Sequence, residues 1–89
     1  MINKFYVYML ISYNKNKFIT YVGYTNNIKK RLILHNTSKG SKFTKGKNWK
    51  VIYKRCYDTK SIAMKNEFLL KKNKIKRKKI KDKYIKNLK

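Results

Sequence analysis

Two apolar stretches near the N-terminus decide the fold: residues 5–13, FYVYMLISY, and residues 18–24, FITYVGY. Both are rich in aromatic and β-branched residues, which is typical of β-strands. The first stretch is almost continuously apolar, which indicates a strand that is buried on both faces. The polar residues 14–17, NKNK, lie between the two stretches and suit a hairpin loop. The N-terminal part of the chain is therefore predicted to form a β-hairpin.

The alternation of side chains along a strand assigns them to the two faces of the sheet. One face of the first strand carries Tyr6, Tyr8 and Leu10, and the other carries Phe5, Val7 and Met9. On the second strand, Ile19, Tyr21 and Gly23 share a face.

Beyond the hairpin, we expect a helix, a loop and a third strand. Residues 25–27, Thr-Asn-Asn, are capping residues, and the apolar spacing of Ile28, Leu32 and His35 predicts a helix over about 27–36. Residues 37–48 are rich in lysine and predict a basic loop with little to bury. Residues 49–57, WKVIYKRCY, have the composition of a strand.

Two further helices complete the predicted domain. Asp58 and Thr59 offer an N-cap for a helix over 60–72. The packing candidates of that helix are Ile62, Ala63, Phe68, Leu69 and Leu70. A lysine-rich, one-sided helix is expected over about 73–88, with an apolar stripe of Ile80, Tyr84 and Leu88. The order β-β-α-β-α-α predicts a single α+β domain over residues 1–89, with a small three-stranded antiparallel sheet flanked by helices.

The charge balance is extreme for a chain of 89 residues. Lysine and arginine together number 26, of which 3 are arginine, against 3 acidic residues, so the formal net charge is +23. Such a charge favours a polyanionic partner, above all nucleic acid. The lack of carboxylates excludes a nuclease site with several acidic ligands for two metals, and it excludes calcium cages.

Other classes of protein are excluded by single residues or by missing patterns. Cys56 is the only cysteine and His35 the only histidine, so an internal disulfide and a zinc cluster are both excluded. No apolar run reaches the length of about 18 residues that spans a bilayer. Residues 5–12 lack the features of a signal peptide, and we expect an intracellular protein.

The three acidic residues differ in what they could do. Asp58 is expected to cap a helix, and Asp82 lies among lysines as a solvated surface charge. Glu67 lies in the middle of a helix on the face of Ala63 and Leu70. It is either a surface residue paired with Lys60, Lys71 or Lys74, or the single carboxylate of a magnesium site.

Short motifs in a fixed order carry a family resemblance. They are Tyr6-Val7-Tyr8 on the first strand and Tyr21-Val22-Gly23 on the second, followed by Arg31 and His35 one helical turn apart. The last is Glu67 in the segment AMKNEFLLK, residues 63–71. From about residue 4 to residue 74, the chain resembles the GIY-YIG endonuclease family, in particular its small stand-alone bacterial-type and Slx-like members. Tyr6 and Val7 depart from the first motif of the family, which places substrate access in question but leaves the chemistry intact.

The resemblance implies a DNA endonuclease that uses one divalent ion, Mg²⁺ or Mn²⁺. Tyr8 and Tyr21 would direct their phenols into the active site, where one of them helps to deprotonate the attacking water. Arg31 would bind the scissile phosphate, and His35 would assist the nucleophile or the phosphate. Glu67 would hold the metal. Gly23 would allow a close approach to the sheet.

Lysines on either side of this site are expected to bind the DNA backbone. They are Lys42, Lys45, Lys47 and Lys50 in the loop region, and Lys71 and Lys72 at a helix end. The main alternative is a non-catalytic basic nucleic-acid-binding protein whose tyrosines are core residues. A membrane-active helix at 73–89 is disfavoured, because its apolar stripe is narrow and contains no tryptophan or phenylalanine. A partner subunit or a homodimer is left open.

Overall fold

In a computed structural model, which describes residues 4–37 and 42–88, three strands and three helices follow in the predicted order. The strands are β1, Phe5–Asn14, β2, Lys17–Thr25, and β3, Lys50–Tyr57. The helices are α1, Ile28–Asn36, α2, Lys60–Lys72, and α3, Lys74–Lys86. The α+β class and the three-stranded antiparallel sheet are thus confirmed. None of the helices within the two described ranges combines the length and apolarity that crossing a bilayer requires.

β1 is the central strand of the sheet, whose order is β2-β1-β3. Residues Val7 to Ser12 are all buried, because β1 has a strand on each side and helices over both faces. The hairpin between β1 and β2 closes through Lys15 and Asn16, which have φ angles of 51° and 64°. Two consecutive left-handed residues make the type of tight turn that matches the twist of paired strands.

The two faces of the sheet carry separate cores. The α1-side cluster consists of Tyr8, Leu10 and Trp49, with Ile28 and Leu32 of α1 packed against it. The α2-side cluster consists of Val7, Met9, Val22, Ala63 and Leu70. These clusters confirm the predicted division of the side chains of β1 between its two faces.

A bulge in β3 changes the register between β1 and β3. Met9 is paired with Tyr53 and Leu10 with Val51, so that Ile52 is the extra residue. As a result, Ile52 and Tyr53 both pack on the α2-side cluster, whereas Val51 packs on the α1-side cluster.

Several predictions for the C-terminal helices need correction. Ala63 and Leu70 of α2 are buried, but Ile62, Phe68 and Leu69 are about half exposed. Successive residues of a helix point about 100° apart, so residues 68–70 cannot all face one sheet.

The predicted cap and the predicted end of the last helix are also corrected. Thr59, and not Asp58, caps α2, because its side chain accepts a hydrogen bond from the backbone N–H of Ile62 at 3.1 Å. Asp58 instead forms an exposed ion pair with Lys4. Leu88 lies beyond the end of α3 and is 56 % exposed.

Candidate active site

Tyr8 lies across Gly23 of the neighbouring strand. The two residues are directly paired in the antiparallel register, and the side chains of this position face α1. A Cβ atom on Gly23 would stand 2.5 Å from the Tyr8 hydroxyl oxygen and 2.6 Å from Cζ. Only glycine leaves room for the phenol at this point of the sheet.

The Tyr8 hydroxyl forms a buried hydrogen-bond chain with His35 and Thr44. The hydroxyl oxygen of Tyr8 lies 2.9 Å from Nε2 of His35, and Nδ1 of His35 lies 2.8 Å from the Thr44 hydroxyl oxygen. Tyr8, His35 and Thr44 are 2 %, 0 % and 0 % exposed. Both ring nitrogens are therefore engaged, so the ring orientation of His35 is defined from both sides.

Residues 42–49 are held against α1 by hydrogen bonds and contain two buried residues, Thr44 and Trp49. The prediction of a loop with little to bury is therefore wrong for this segment. The amide side chain of Asn36 accepts a hydrogen bond from the backbone N–H of Trp49 at 2.6 Å and donates one to its carbonyl at 3.1 Å. The indole N–H of Trp49 donates to the Thr44 carbonyl at 3.0 Å. Trp49 precedes β3 and was predicted as its first residue, but its ring is buried in the α1-side cluster.

Arg31 brings a cation to the same region. It is half-buried on α1, and its Nε is a buried nitrogen without a hydrogen-bond partner among the described residues. Arg31 also lines a cavity of about 370 Å³, together with residues at the end of β2 and with Lys60 at the start of α2. A buried donor without a partner is costly, and an anion such as a phosphate oxygen would satisfy it.

The environment of the site shifts two pKa values away from those of free side chains. Burial raises the pKa of Tyr8 to about 12, the adjacent Arg31 opposes this rise, and the charges of Tyr21 and Glu67 add to it. Burial lowers the pKa of His35, and the charge of Arg31 lowers it further. At neutral pH, Tyr8 is consequently protonated and His35 is neutral.

Glu67 is the acidic group of the site. Its side chain is 18 % exposed on α2, and Lys71, one helical turn further on, lies 3.7 Å from its Oε1. Of the alternatives for Glu67, an ion pair with Lys71 is present, although the distance exceeds that of a hydrogen bond. The described residues contain no group of three or more acidic, histidine or cysteine side chains that could hold a metal. A divalent ion held by one carboxylate, with water and phosphate oxygens as its other ligands, fits this donor set.

The predicted DNA-binding lysines are distributed over three regions. Lys42 and Lys45 are exposed, and Lys47 donates to the Phe43 carbonyl at 3.0 Å. Lys50 lies on β3 and lines a different cavity, at the hairpin end of the sheet, together with Tyr84 and Leu88. On α2, Lys71 lies beside Glu67 and Lys72 lies over the ring of Phe68 at 4.5 Å.

Sequence reasoning missed three residues that support the site. Thr44 orients His35, and Asn36 fastens Trp49. Phe43, half exposed, stacks on Tyr21 with ring centroids 6.1 Å apart. Trp49, a lone tryptophan next to a lysine-rich segment, could have indicated that this segment packs against the domain, because its large apolar side chain favours burial.

Comparison with known proteins gives a consistent result. Residues 4–81 match the family described as the GIY-YIG catalytic domain. A UPF0213 protein of Oceanobacillus iheyensis is 40 % identical over 67 residues, which cover 74 % of this chain and 74 % of the relative. A UPF0213 protein of Streptococcus pyogenes serotype M3 is 38 % identical over 78 residues, 86 % of this chain and 82 % of the relative.

A UPF0213 protein of Bacillus licheniformis is 49 % identical over a shorter range of 53 residues, which is 58 % of this chain and about half, 55 %, of the relative. No solved structure matches the chain significantly.

Proposed function

The chain belongs to the GIY-YIG family, and on that premise we propose that it is a divalent-metal-dependent endonuclease that hydrolyses phosphodiester bonds of DNA. The family places a nuclease catalytic domain over residues 4–81. One observation carries the finer proposal: beside the Tyr8–His35 pair, the buried Nε of Arg31 has no hydrogen-bond partner among residues 4–37 and 42–88. A guanidinium that has one unsatisfied N–H and lies next to a proton-transfer pair is the arrangement that a phosphodiester substrate would complete.

Arg31 is assigned to the scissile phosphate. Its guanidinium is planar and permanently charged, so it binds two phosphate oxygens at once, as a lysine cannot. The negative charge on these oxygens increases as water attacks, and the contact therefore strengthens in the transition state. The half-buried position of Arg31 strengthens its electrostatic attraction to the phosphate, because water screens this attraction less.

Tyr8 and His35 are assigned to the movement of the proton from the attacking water. With a pKa of about 12, Tyr8 does not act as a base by itself at neutral pH. Instead, the Tyr8 hydroxyl relays a proton. It accepts a proton from the attacking water and donates its own proton to Nε2 of His35, 2.9 Å away. The lowered pKa of His35 keeps Nε2 available as an acceptor, and Nδ1–H then donates to Thr44. Tyr21 is only partly buried, and we assign it to orient the DNA strand.

Glu67 is assigned to the metal. When bound, Mg²⁺ or Mn²⁺ would supply positive charge against the phosphate in addition to that of Arg31. The single carboxylate of the site suits one ion, since the described residues contain no group of three or more side chains that could hold a metal. Lysines of the loop region and of α2, namely Lys42, Lys45, Lys47, Lys71 and Lys72, are assigned to the flanking phosphates, and Lys50, at the start of β3, to a more distant part of the DNA backbone. Each neutralised phosphate adds about −0.9 to the slope of log affinity against log salt on duplex DNA.

The proposed biological setting follows from this activity. Residues 1–89 would act as one nuclease domain on intracellular DNA, in repair or recombination. A protein partner and self-association are left open by this proposal.

The test is cleavage of supercoiled plasmid and of branched DNA with Mg²⁺ or Mn²⁺, against EDTA. We expect nicking by the wild type, with a loss of at least about 100-fold in Glu67→Gln, because the site loses its charged metal ligand. Asp82→Asn is the matched control, since Asp82 also pairs with a lysine one turn away, Lys78, but lies on α3. DNA binding, measured by fluorescence anisotropy in EDTA, is expected to be retained in both variants.

Two outcomes would contradict the proposal. A wild-type protein that binds DNA but cleaves none of these substrates with any divalent ion would instead be a non-catalytic nucleic-acid-binding protein, the alternative that the charge of +23 supports. Undiminished cleavage by Glu67→Gln would refute the assignment of the metal to that residue.

A further inference from the structure

A second cavity opens on the exposed edge of the sheet, beside the candidate active site. Its volume is about 240 Å³, and it is lined by Thr20, Tyr21 and Val22 of the edge strand β2, together with Phe43, Lys71 and Arg77. Two of these residues connect it to the site, since Tyr21 contacts His35 and Lys71 pairs with Glu67. These two contacts place the cavity next to side chains that are assigned to the reaction.

Arg77 is held in a defined orientation at this cavity. It is half-buried on α3, and its Nε–H donates to the carbonyl of Leu70 at 3.1 Å. One of its five N–H donors is used there, which leaves both terminal nitrogens for a ligand. The Leu70 carbonyl also accepts from the backbone N–H of Asn73, so the end of α2 does not depend on Arg77.

The chemistry of the cavity favours a nucleotide. Its lining contains two cations, Lys71 and Arg77, and no carboxylate, so the ligand that it fits is an anion. Arginine is rare in this chain, and its planar pair of terminal donors suits phosphate oxygens. The lining also includes the half-exposed ring of Phe43, which is stacked on Tyr21 and offers an apolar surface to a sugar or a base.

We propose that Arg77 and Lys71 bind the DNA phosphate next to the scissile one, and that its nucleoside packs on Phe43. This subsite deepens the nuclease function proposed above and rests on it. It would hold the strand at two successive phosphates, at Arg31 and at Arg77, and so define which bond lies in the active site.

The first test measures binding without cleavage, by anisotropy of labelled DNA in EDTA over a range of salt concentrations. Arg77→Met is expected to bind roughly tenfold more weakly at low salt, a loss of about 1.4 kcal/mol. Its log–log salt slope should fall in magnitude by about 0.9 on duplex DNA. The matched control is Arg55→Met, which removes the same charge from the opposite edge strand, β3. Equal slopes for the wild type, Arg77→Met and Arg55→Met would overturn the proposal.

The conservative variant Arg77→Lys shows whether the geometry of the guanidinium matters for DNA binding or only its positive charge. Arg77→Lys is expected to restore the salt slope but only part of the affinity, because an ammonium cannot bind Leu70 and present two further planar donors. Thermal denaturation would show whether either variant has lost its fold. If Arg77→Met is unfolded, the same binding test is made with Lys71→Met, which removes the other cation of the cavity. Full affinity in a folded Arg77→Lys would overturn the assignment of bidentate phosphate binding to Arg77.

The second test places the subsite relative to the cut. Oligonucleotides that carry one neutral methylphosphonate at successive positions are cleaved with Mg²⁺, and the position next to the cut is expected to interfere in the wild type but not in Arg77→Met. Interference that persists in Arg77→Met would mean that Arg77 binds elsewhere on the DNA. Phe43→Ala is expected to weaken binding several-fold, and Tyr13→Ala, which removes an exposed ring outside the cavity, is the control. Absence of any cleavage would refute the nuclease proposal, whereas the salt-slope test judges the subsite independently.

Discussion

Substitution of Gly23 by alanine tests the close approach between β2 and the Tyr8 phenol. The added Cβ would stand 2.5 Å from the hydroxyl oxygen and 2.6 Å from Cζ of Tyr8. Non-bonded atoms prefer about 3.5–4.0 Å, so the phenol has to retreat by about 1 Å. Tyr8 is 2 % exposed and packed against Leu10 and Trp49, so this retreat strains the α1-side cluster. It also breaks the 2.9 Å contact with His35.

The expected magnitude follows from these two effects. Overpacking of a core costs about 1–3 kcal/mol. A buried polar group that loses its partner costs about 1–3 kcal/mol more. We therefore expect Gly23→Ala to lower the free energy of unfolding by about 2–6 kcal/mol. At 2 kcal/mol, a domain of this size melts roughly 8–16 °C lower. A displacement of about 1 Å at the reacting groups lowers cleavage by about 100-fold, beyond the effect on stability.

The assay combines thermal denaturation, followed by circular dichroism, with single-turnover cleavage at a temperature where each variant is folded. Gly46→Ala is the matched control, because Gly46 has φ +77° but nothing within 4 Å of an added Cβ. Its cost comes from the backbone alone, about 1–2 kcal/mol, and its cleavage rate should stay within a few-fold of the wild type. A Gly23→Ala protein that melts and cleaves like the wild type would refute the reasoning. In a double-mutant cycle, Tyr8→Leu should absorb most of the cost of Gly23→Ala, since it removes the atoms that collide.

Two further predictions concern the supports of the Tyr8 phenol. The pKa of His35 is lower in the folded chain, so the unfolded chain binds more protons below about pH 6.5 and the free energy of unfolding falls as the pH drops from 7 towards 5. His35→Gln should flatten this dependence in urea titrations, and an unchanged slope would show that His35 is not its source. Asn36→Ala should cost about 1–3 kcal/mol and shift the emission of the single tryptophan, Trp49, to longer wavelength, because two hydrogen bonds hold it against α1. Asn48→Ala is the control, and equal emission from both variants would contradict the anchoring role of Asn36.

Much of the fold could be predicted because its signals are local. The apolar run of β1 indicates burial on both faces, and the central position of β1 in the sheet accounts for it. The alternation of Tyr8 and Leu10 against Val7 and Met9 follows from strand geometry alone, and each pair lies in its own cluster. Helix α2 begins and ends where it was predicted, since Thr59 caps it and Asn73 interrupts the helical pattern.

Features that depend on distant partners could not be predicted in this way. Residues 42–47 contain three lysines and a glycine, and nothing local distinguishes Thr44 from its exposed neighbours. Thr44 is buried because Nδ1 of His35, nine residues away, takes it as a hydrogen-bond partner. The raised pKa of Tyr8 could not be predicted from the sequence either. It arises from burial in the folded chain, whereas the many cations of the sequence would by themselves lower the pKa of a tyrosine.

The acidic residues show how the structure adds to an argument from composition. Asp58 and Asp82 are 78 % and 53 % exposed, and each forms an ion pair in solvent that contributes little to stability. Glu67 is 18 % exposed, and its nearest lysine, Lys71, is 3.7 Å away, beyond hydrogen-bond distance. In a chain with 26 basic residues, the least hydrated carboxylate therefore has the weakest ion pair within the described ranges, 4–37 and 42–88. A shielded carboxylate without a close partner raises the free energy of the folded chain, and a bound divalent cation would lower it. Spacing alone favoured the surface ion pair over a metal ligand, whereas the low exposure of Glu67 and its distance from Lys71 support the proposal that it binds a metal.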